Sequence, residues 1–438
     1  MAAKTAAVHV LGCKVNQQEA EALEKLFADA GYHLVNFNQP ADVYVVHTCT
    51  VTNLGSSKSR QMIRRAVRTN PEAVVAVTGC YAQVSPEEVC QIPGVDLIIG
   101  TQDRGRIVEL VEQVAQDRVP LNLVQELKQG NPFEELPMVT GNRVRAFLKI
   151  QEGCRQFCTY CIVPYARGPL RSREPASAEK EAVLLVERGY QEIVLTGVHL
   201  GSYGVDLPGN PTLAGLIRNL SRINGLSRLR LSSLDPNEFD AELLEVLTKS
   251  EVICPHLHIP LQSGEDQVLK RMGRRYTTED YRQLLDKLRL AFPGLAVTTD
   301  IIAGFPGETA AQFAQTLAFA EEMAFAGIHV FKFSPRAGTP AAKFPHQVHP
   351  REKEERSQAL LQLAQRLWRQ YAAGFVGQVK TVLVEQEKEA SKGLWEGHTD
   401  NYLKVVFPGD GDLRGKLLPV TLKEIREEGY LTGALAGF

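Results

Sequence analysis

The chain carries almost no net charge: 49 Lys and Arg stand against 51 Asp and Glu, a formal −2 over 438 residues. No field spread over the whole surface can therefore gather nucleic acid, and such a partner must meet a local basic patch. Also missing is any apolar run approaching the roughly 20 residues of a membrane span, or a basic-then-apolar secretory leader. A cytoplasmic protein with no membrane partner is expected. Neither an internal repeat nor a low-complexity tract is visible. With 35 Gly and 23 Pro in a chain 44% hydrophobic and 23% charged, usage is ordinary for a globular protein, which excludes collagen and disorder. This length buries core for two or three domains without disulfide staples. The eight cysteines are then better suited to metal binding or chemistry than to pairing.

The pattern predicts an α/β protein in three parts. Over the first third, apolar runs at 7–11, 43–46, 74–77 and 95–99 alternate with helical stretches at 18–30 and 58–69, the mark of a Rossmann-like parallel sheet. Three runs lead directly into a cysteine, in VHVLGCKVNQ, YVVHTCTVTN and AVVAVTGCYAQ. Cys13, Cys49 and Cys80 thus fall beyond strand ends, where ligands collect on open parallel sheets, and can converge there. Burial in the core is the other reading, since free Cys is among the most buried residue types. Residues 126–141 are polar and broken by Gly130, Pro132 and Pro137, a linker pattern. Six strand-helix units follow, with strands at 145–150, 192–195, 229–232, 257–260, 296–302 and 328–333, and predict a partial (β/α)6 barrel. After a helix over 350–373, the tail reads as a small all-β module. The expected domains are 1–125, 142–373 and 374–438, joined by the linker.

CRQFCTYC holds Cys154, Cys158 and Cys161 in a C-x3-C-x2-C spacing after the first barrel strand. Three close thiolates suit an iron-sulfur cluster and leave a fourth iron open. Structural zinc would want a fourth ligand nearby, yet the next Cys or His is His199; Cys254, His256 and His258 complete such a site only by folding. Cys90 and Cys254 read as packing residues.

With Gly153 before it and Pro164, Tyr165, Arg167 and Gly168 after it, CRQFCTYC resembles the loop of the radical S-adenosylmethionine enzymes. The resemblance implies that the open iron chelates S-adenosyl-L-methionine, whose reductive cleavage gives a 5′-deoxyadenosyl radical. LGCKVNQQEAE, TCTVTN and GCYAQ resemble the amino-terminal domain of the methylthiotransferases, which implies that Cys13, Cys49 and Cys80 hold a second [4Fe-4S] cluster. The tail resembles a TRAM domain, an RNA-binding barrel. Among methylthiotransferases, LGCKVNQ, TCTVTN followed by KSRQMIRRA, and CTYCIVPYARGPLRSR are most similar to the branch acting on N(6)-threonylcarbamoyladenosine at position 37 of tRNA. His47 departs from the usual Asn before Thr-Cys, and Arg155 from the Asn or Asp after the first loop cysteine. Sister branches act on isopentenyladenosine in tRNA or on an aspartate of a ribosomal protein, and a non-catalytic RNA binder with two zinc sites is the alternative from another class.

The implied chemistry replaces the hydrogen on carbon 2 of the adenine, which has no acidic proton and no leaving group, so no side chain is assigned as acid or base. Implied partners are the tRNA anticodon loop and an electron donor such as flavodoxin or ferredoxin. Gly197, Ser232, Ser233, Gly304 and Gly307 match positions near the cofactor. Arg60, Arg64 and Arg68, spaced i, i+4, i+8 with Arg65 beside them, form a cationic stripe soon after Cys49 that reads as an RNA contact or as a solvated helix face. Arg167, Arg171 and Arg173, and Arg271, Arg274 and Arg275, are further basic candidates. Tyr402 and Phe407 are expected in a strand, where they stack bases or pack the small barrel.

Overall fold

The structure is a computed structural model that describes residues 4–138, 143–389, 391 and 393–437. Residues 139–141 of the expected linker, and residues 1–3, 142, 390, 392 and 438 of the expected domains, lie outside the described residues.

The amino-terminal part is a six-stranded parallel sheet of β1 (Thr5–Val10), β2 (His33–Leu34), β3 (Val43–Thr48), β4 (Val74–Gly79), β5 (Leu97–Ile98) and β6 (Leu121–Asn122), in the order β2-β1-β3-β4-β5-β6. Every residue of β3 and β4 is buried. Their valine-rich runs fit a strand covered on both faces, with one apolar cluster on each side of the sheet. Helix α1 (Lys14–Asp29) follows β1, α2 (Asn53–Thr69) follows β3, and the short α3 (Cys80–Val84) follows β4 directly. Because β1, β3 and β4 are adjacent and parallel, the segments leaving their carboxyl ends emerge side by side.

The central part forms an arc of six parallel strands: β7 (Ala146–Lys149), β10 (Glu192–Thr196), β11 (Arg228–Leu231), β12 (His256–His258), β13 (Ala296–Ala303) and β14 (Gly327–Lys332). The arc is built as two three-stranded sheets. They meet where Leu229 bridges to Ile253 and where the Leu234 amide donates to the His258 carbonyl at 3.0 Å. Between β7 and β10, β8 (Gln151–Glu152) and β9 (Arg171–Ser172) form a small antiparallel pair. A single large core fills the arc, and the helix Pro350–Ala373 closes this part. The segment expected as a linker is tied down: Glu134 accepts from Arg104 at 2.8 Å, and Glu135 pairs with Arg173 at 3.0 Å.

The tail is a closed five-stranded barrel of β15 (Val379–Glu389), β16 (Leu394–Thr399), β17 (Lys404–Pro408), β18 (Leu417–Ile425) and β19 (Leu431–Leu435). It docks on arginines of the central arc: Arg145 pairs with Glu385, and Arg228 donates to the Thr381 carbonyl at 2.5 Å and the His398 carbonyl at 3.2 Å. The same arginines with Arg230 surround the buried Glu192, whose carboxyl burial would raise, and hold it at about 2. The expected strand position of Tyr402 is corrected here, and of the two readings of Phe407, packing of the small barrel holds. Tyr402 precedes β17 in a left-handed turn (φ +69°), and its ring is sandwiched between His256 at 4.7 Å and His398 at 4.8 Å, under the Arg230 guanidinium. Phe407 is fully buried in the barrel core. Phe407 presents no face to a base, and the half-buried Tyr402 ring is engaged by its two histidine neighbours.

Candidate active site

Cys13 caps the start of α1, Cys49 follows β3, and Cys80 opens α3, so the strand order brings three distant cysteines to one edge. Their closeness constrains the backbone. Gly12 has φ +114°, and a Cβ there would lie 3.1 Å from both Cβ and Sγ of Cys49 and 2.7 Å from Asn16. Arg167, reaching in from the central part, donates from Nε to the Cys80 Sγ at 3.2 Å and from NH2 to the Asn16 Oδ1 at 2.6 Å; Cys13 Sγ lies 3.7 Å from that same oxygen.

Arg167 is held in turn by a buried charge cluster. Glu19 on α1 meets Arg104 at 2.6 Å, Arg167 at 2.6 Å, Lys149 at 2.9 Å and His47 Nε2 at 3.2 Å. Glu152 adds a second carboxylate, 2.7 Å from Arg167 and 3.1 Å from Lys149. Burial pushes both carboxyls up, but the surrounding Arg104, Arg167 and Lys149 outweigh it and hold both well below the usual range. His47, where an Asn was expected, is fully buried in this cluster, and desolvation lowers its pKa. Arg167, Arg171 and Arg173 are therefore structural and not RNA contacts: each is less than a tenth exposed. The signal for this cluster was faint, a glutamate six residues after Cys13 on the helix that Cys13 begins.

The contiguous trio lies on the loop after β8. Gly153 (φ +81°) admits no side chain, because a Cβ would sit 1.8 Å from the Pro169 carbonyl oxygen. The Cys154 amide donates to the Gly168 carbonyl at 3.0 Å and the Cys161 amide to the Cys158 carbonyl at 2.9 Å. Arg274 donates to Cys158 Sγ at 3.3 Å, and the Gln156 amide points at Cys154 Sγ at 3.4 Å. Burial raises the Cys154 thiol to about 11 and those of Cys161 and Cys80 to about 12. In each trio one buried cysteine, Cys80 or Cys158, has a guanidinium N–H aimed at its sulfur, which suits a thiolate that a metal has deprotonated, with a donor outside the ligand shell stabilising the sulfur charge. The donor sets fit an iron-sulfur cluster.

A cavity of about 300 Å³ joins the two halves. Its wall includes Val51 and Thr52, just past Cys49, together with Cys154, Cys158 and Cys161. Arg336 clamps this junction: it donates to Thr50 Oγ1 at 2.5 Å and Ser56 Oγ at 2.9 Å, beside Cys49. Of the expected cofactor positions, Ser233 lines the cavity, Ser232 has a buried hydroxyl oxygen without a hydrogen-bond partner, and Gly197 precedes the lining residues Val198 and His199. Gly304 and Gly307 occupy a turn away from the described lining, where the Gly304 amide donates to Glu308, itself paired with Arg356; Ile302 lines the cavity instead.

Three family descriptions match in order: uncharacterized protein family UPF0004 over residues 5–100, the radical SAM superfamily over 148–320, and the TRAM domain over 374–436. The chain is 48% identical to the threonylcarbamoyladenosine tRNA methylthiotransferase MtaB of Bacillus subtilis, across 97% of this chain and 94% of that one. The chain belongs to the radical SAM methylthiotransferases. A second relative of this methylthiotransferase is the tRNA-2-methylthio-N(6)-dimethylallyladenosine synthase of Pelotomaculum thermopropionicum, 36% identical over 98% and 96% of the two chains. The fold is shared with the radical S-adenosylmethionine methyltransferase TsrM of Kitasatospora setae at a TM-score of 0.56 and 17% identity, covering 77% of each chain. As a radical SAM methylthiotransferase the protein uses two [4Fe-4S] clusters and S-adenosyl-L-methionine.

The basic stripe lies on α2, which buries Ser56, Ser59, Ile63 and Ala66 and turns its other face outward. Arg64, Arg65 and Arg68 are exposed, while Arg60 is half-buried and donates to the Tyr81 hydroxyl at 3.1 Å. Arg271 and Arg274 are spoken for by Gly307 and by Asp235; Arg275 is exposed. Cys254 is buried as expected, but Cys90, at the end of a short surface helix, is exposed and is not a packing residue. No helix among the described residues is long and apolar enough to cross a membrane.

Proposed function

We propose that the protein replaces the carbon 2 hydrogen of N(6)-threonylcarbamoyladenosine at position 37 of tRNA with a methylthio group, in the cytoplasm. The observation that carries this reading is the cavity: one wall is the loop cysteines and another is the segment leaving Cys49. Cys154, Cys158 and Cys161 hold one cluster, and Cys13, Cys49 and Cys80 the other. When bound, the clusters and S-adenosyl-L-methionine supply hydrogen-atom abstraction from an unactivated carbon and a sulfur to place there, which no side chain at the site can supply. The side chains position and shield: Arg167 and Arg274 stabilise sulfur charge, and Ser232, Ser233 and Gly197 border the cofactor.

The target base enters flipped out of the anticodon loop. Val51, Leu54, Phe157 and Tyr165 are exposed apolar side chains on segments flanking the cysteines. Such a rim suits unstacked bases, while Arg64, Arg65 and Arg68 meet phosphates and Arg60 orients the stripe through Tyr81. The division into 1–125, 126–141, 142–373 and 374–438, and a flavodoxin or ferredoxin as electron donor, complete the proposal. The branch is supported by the higher identity to the threonylcarbamoyladenosine enzyme than to the dimethylallyl one. Mass spectrometry of tRNA nucleosides from cells lacking the gene tests it. Loss of 2-methylthio from threonylcarbamoyladenosine, with isopentenyladenosine unaffected, is expected; the reverse pattern refutes the branch.

A further inference from the structure

One polar cluster inside the arc is used by neither trio of cysteines. On three adjacent strands the register pairs His258 with Thr298 and Asp300 with His329, and residues so paired share a face. The ligand-capable atoms of His258, Asp300 and His329 lie within 4.8 Å of one another. His258 Nε2 is 3.2 Å from Asp300 Oδ1, while its Nδ1 lies 2.9 Å from Thr298 Oγ1, which fixes the ring. Asp300 lines the cavity and His329 is exposed, so the cluster borders the chamber through Asp300 and is reachable from solvent through His329. Lys14, the residue after Cys13, is exposed, and its charge helps to lower the pKa of His256 and His329, for both of which burial is the main cause.

An apolar substituent placed here would cut the exposed His329 and Lys14 off from water with nothing to pair with, and would leave the Asp300 carboxylate with His258 alone. That is the situation in which a site built for hydrogen bonding rejects an analogue lacking the matching groups. We infer that His258, Asp300, His329 and Lys14 form a subsite for a polar, carboxylate-bearing substituent on the amino nitrogen of the target adenine. Asp300 accepts from an N–H or hydroxyl of the substituent, and His329 and Lys14 donate to its carboxylate. The inference rests on the proposed substrate and extends it, since it names the residues that separate a threonylcarbamoyl group from a dimethylallyl group.

The test uses enzyme purified anaerobically with both clusters and anticodon stem-loops carrying threonylcarbamoyladenosine, its carboxylate methyl ester, or dimethylallyladenosine. In His329→Phe and Lys14→Ala, the kcat/KM preference for the threonylcarbamoyl over the dimethylallyl substrate should fall at least about tenfold at wild-type iron content. The wild type should bind the acid more tightly than the ester, and Lys14→Ala should bind them alike. Lys14 is exposed, so its variant keeps the test open should His329→Phe fail to fold. If the wild type prefers the threonylcarbamoyl substrate and both variants keep that preference, the subsite is wrong and the proposed function stands. A wild type that modifies only the dimethylallyl substrate overturns both.

Discussion

Glu19→Gln is the sharpest probe of how the two halves are held together. Glu19 is 1% exposed and contacts Arg104, Arg167, Lys149 and His47. With Glu134 and Glu152 it faces four cations, Arg104, Lys149, Arg167 and Arg171, so removing its charge leaves the buried cluster further out of balance. Glutamine keeps the shape, removes the charge and turns an N–H group toward guanidinium donors. Breaking a buried ion pair on one side costs about 3–5 kcal/mol, which lowers the melting temperature of a domain of this size by roughly 6–20 °C. The variant and the wild type should be compared by anaerobic calorimetry, with the exposed Glu87→Gln as control. Because Arg167 loses its contacts to Glu19 while still facing Cys80, iron bound through Cys13, Cys49 and Cys80 should be lost more readily to a chelator. A melting temperature within about 2 °C of the control, with unchanged iron release, would refute the assignment of this cluster as the joint.

Gly153→Ala should abolish the loop cluster, because its Cβ meets the Pro169 carbonyl at 1.8 Å in a left-handed conformation; iron analysis should show about half the wild-type content, with the other cluster's absorption retained. Replacing Arg64, Arg65 and Arg68 together by alanine should weaken tRNA binding and reduce the slope of log affinity against log salt by about 2–3, read by a filter-binding salt series; an unchanged slope makes α2 a solvated face. In the holoenzyme at pH 8, iodoacetamide should alkylate Cys90 within minutes and spare Cys254, whose thiol burial raises to about 12 and which is therefore protonated; peptide mapping reads the two sites apart.

Much of this protein follows from local pattern alone. Valine-rich runs ending at Cys13, Cys49 and Cys80 mark parallel strands whose ends share an edge, and C-x3-C-x2-C is a complete donor set within one loop. Both are legible because strand period and ligand spacing are short-range properties. What lies opposite a side chain is not, and there the tertiary structure decided. Arg167 and Arg64 are alike in sequence, yet one is buried against Glu19 and Cys80 and the other faces water. Tyr402, readable as a base-stacking strand residue, is held between His256 and His398 because the small barrel docks on the arc. His258, Asp300 and His329 come from separate strands and become one cluster only through register. A sequence states which charges and rings a chain owns; folding brings distant segments together and so determines which of them remain for RNA.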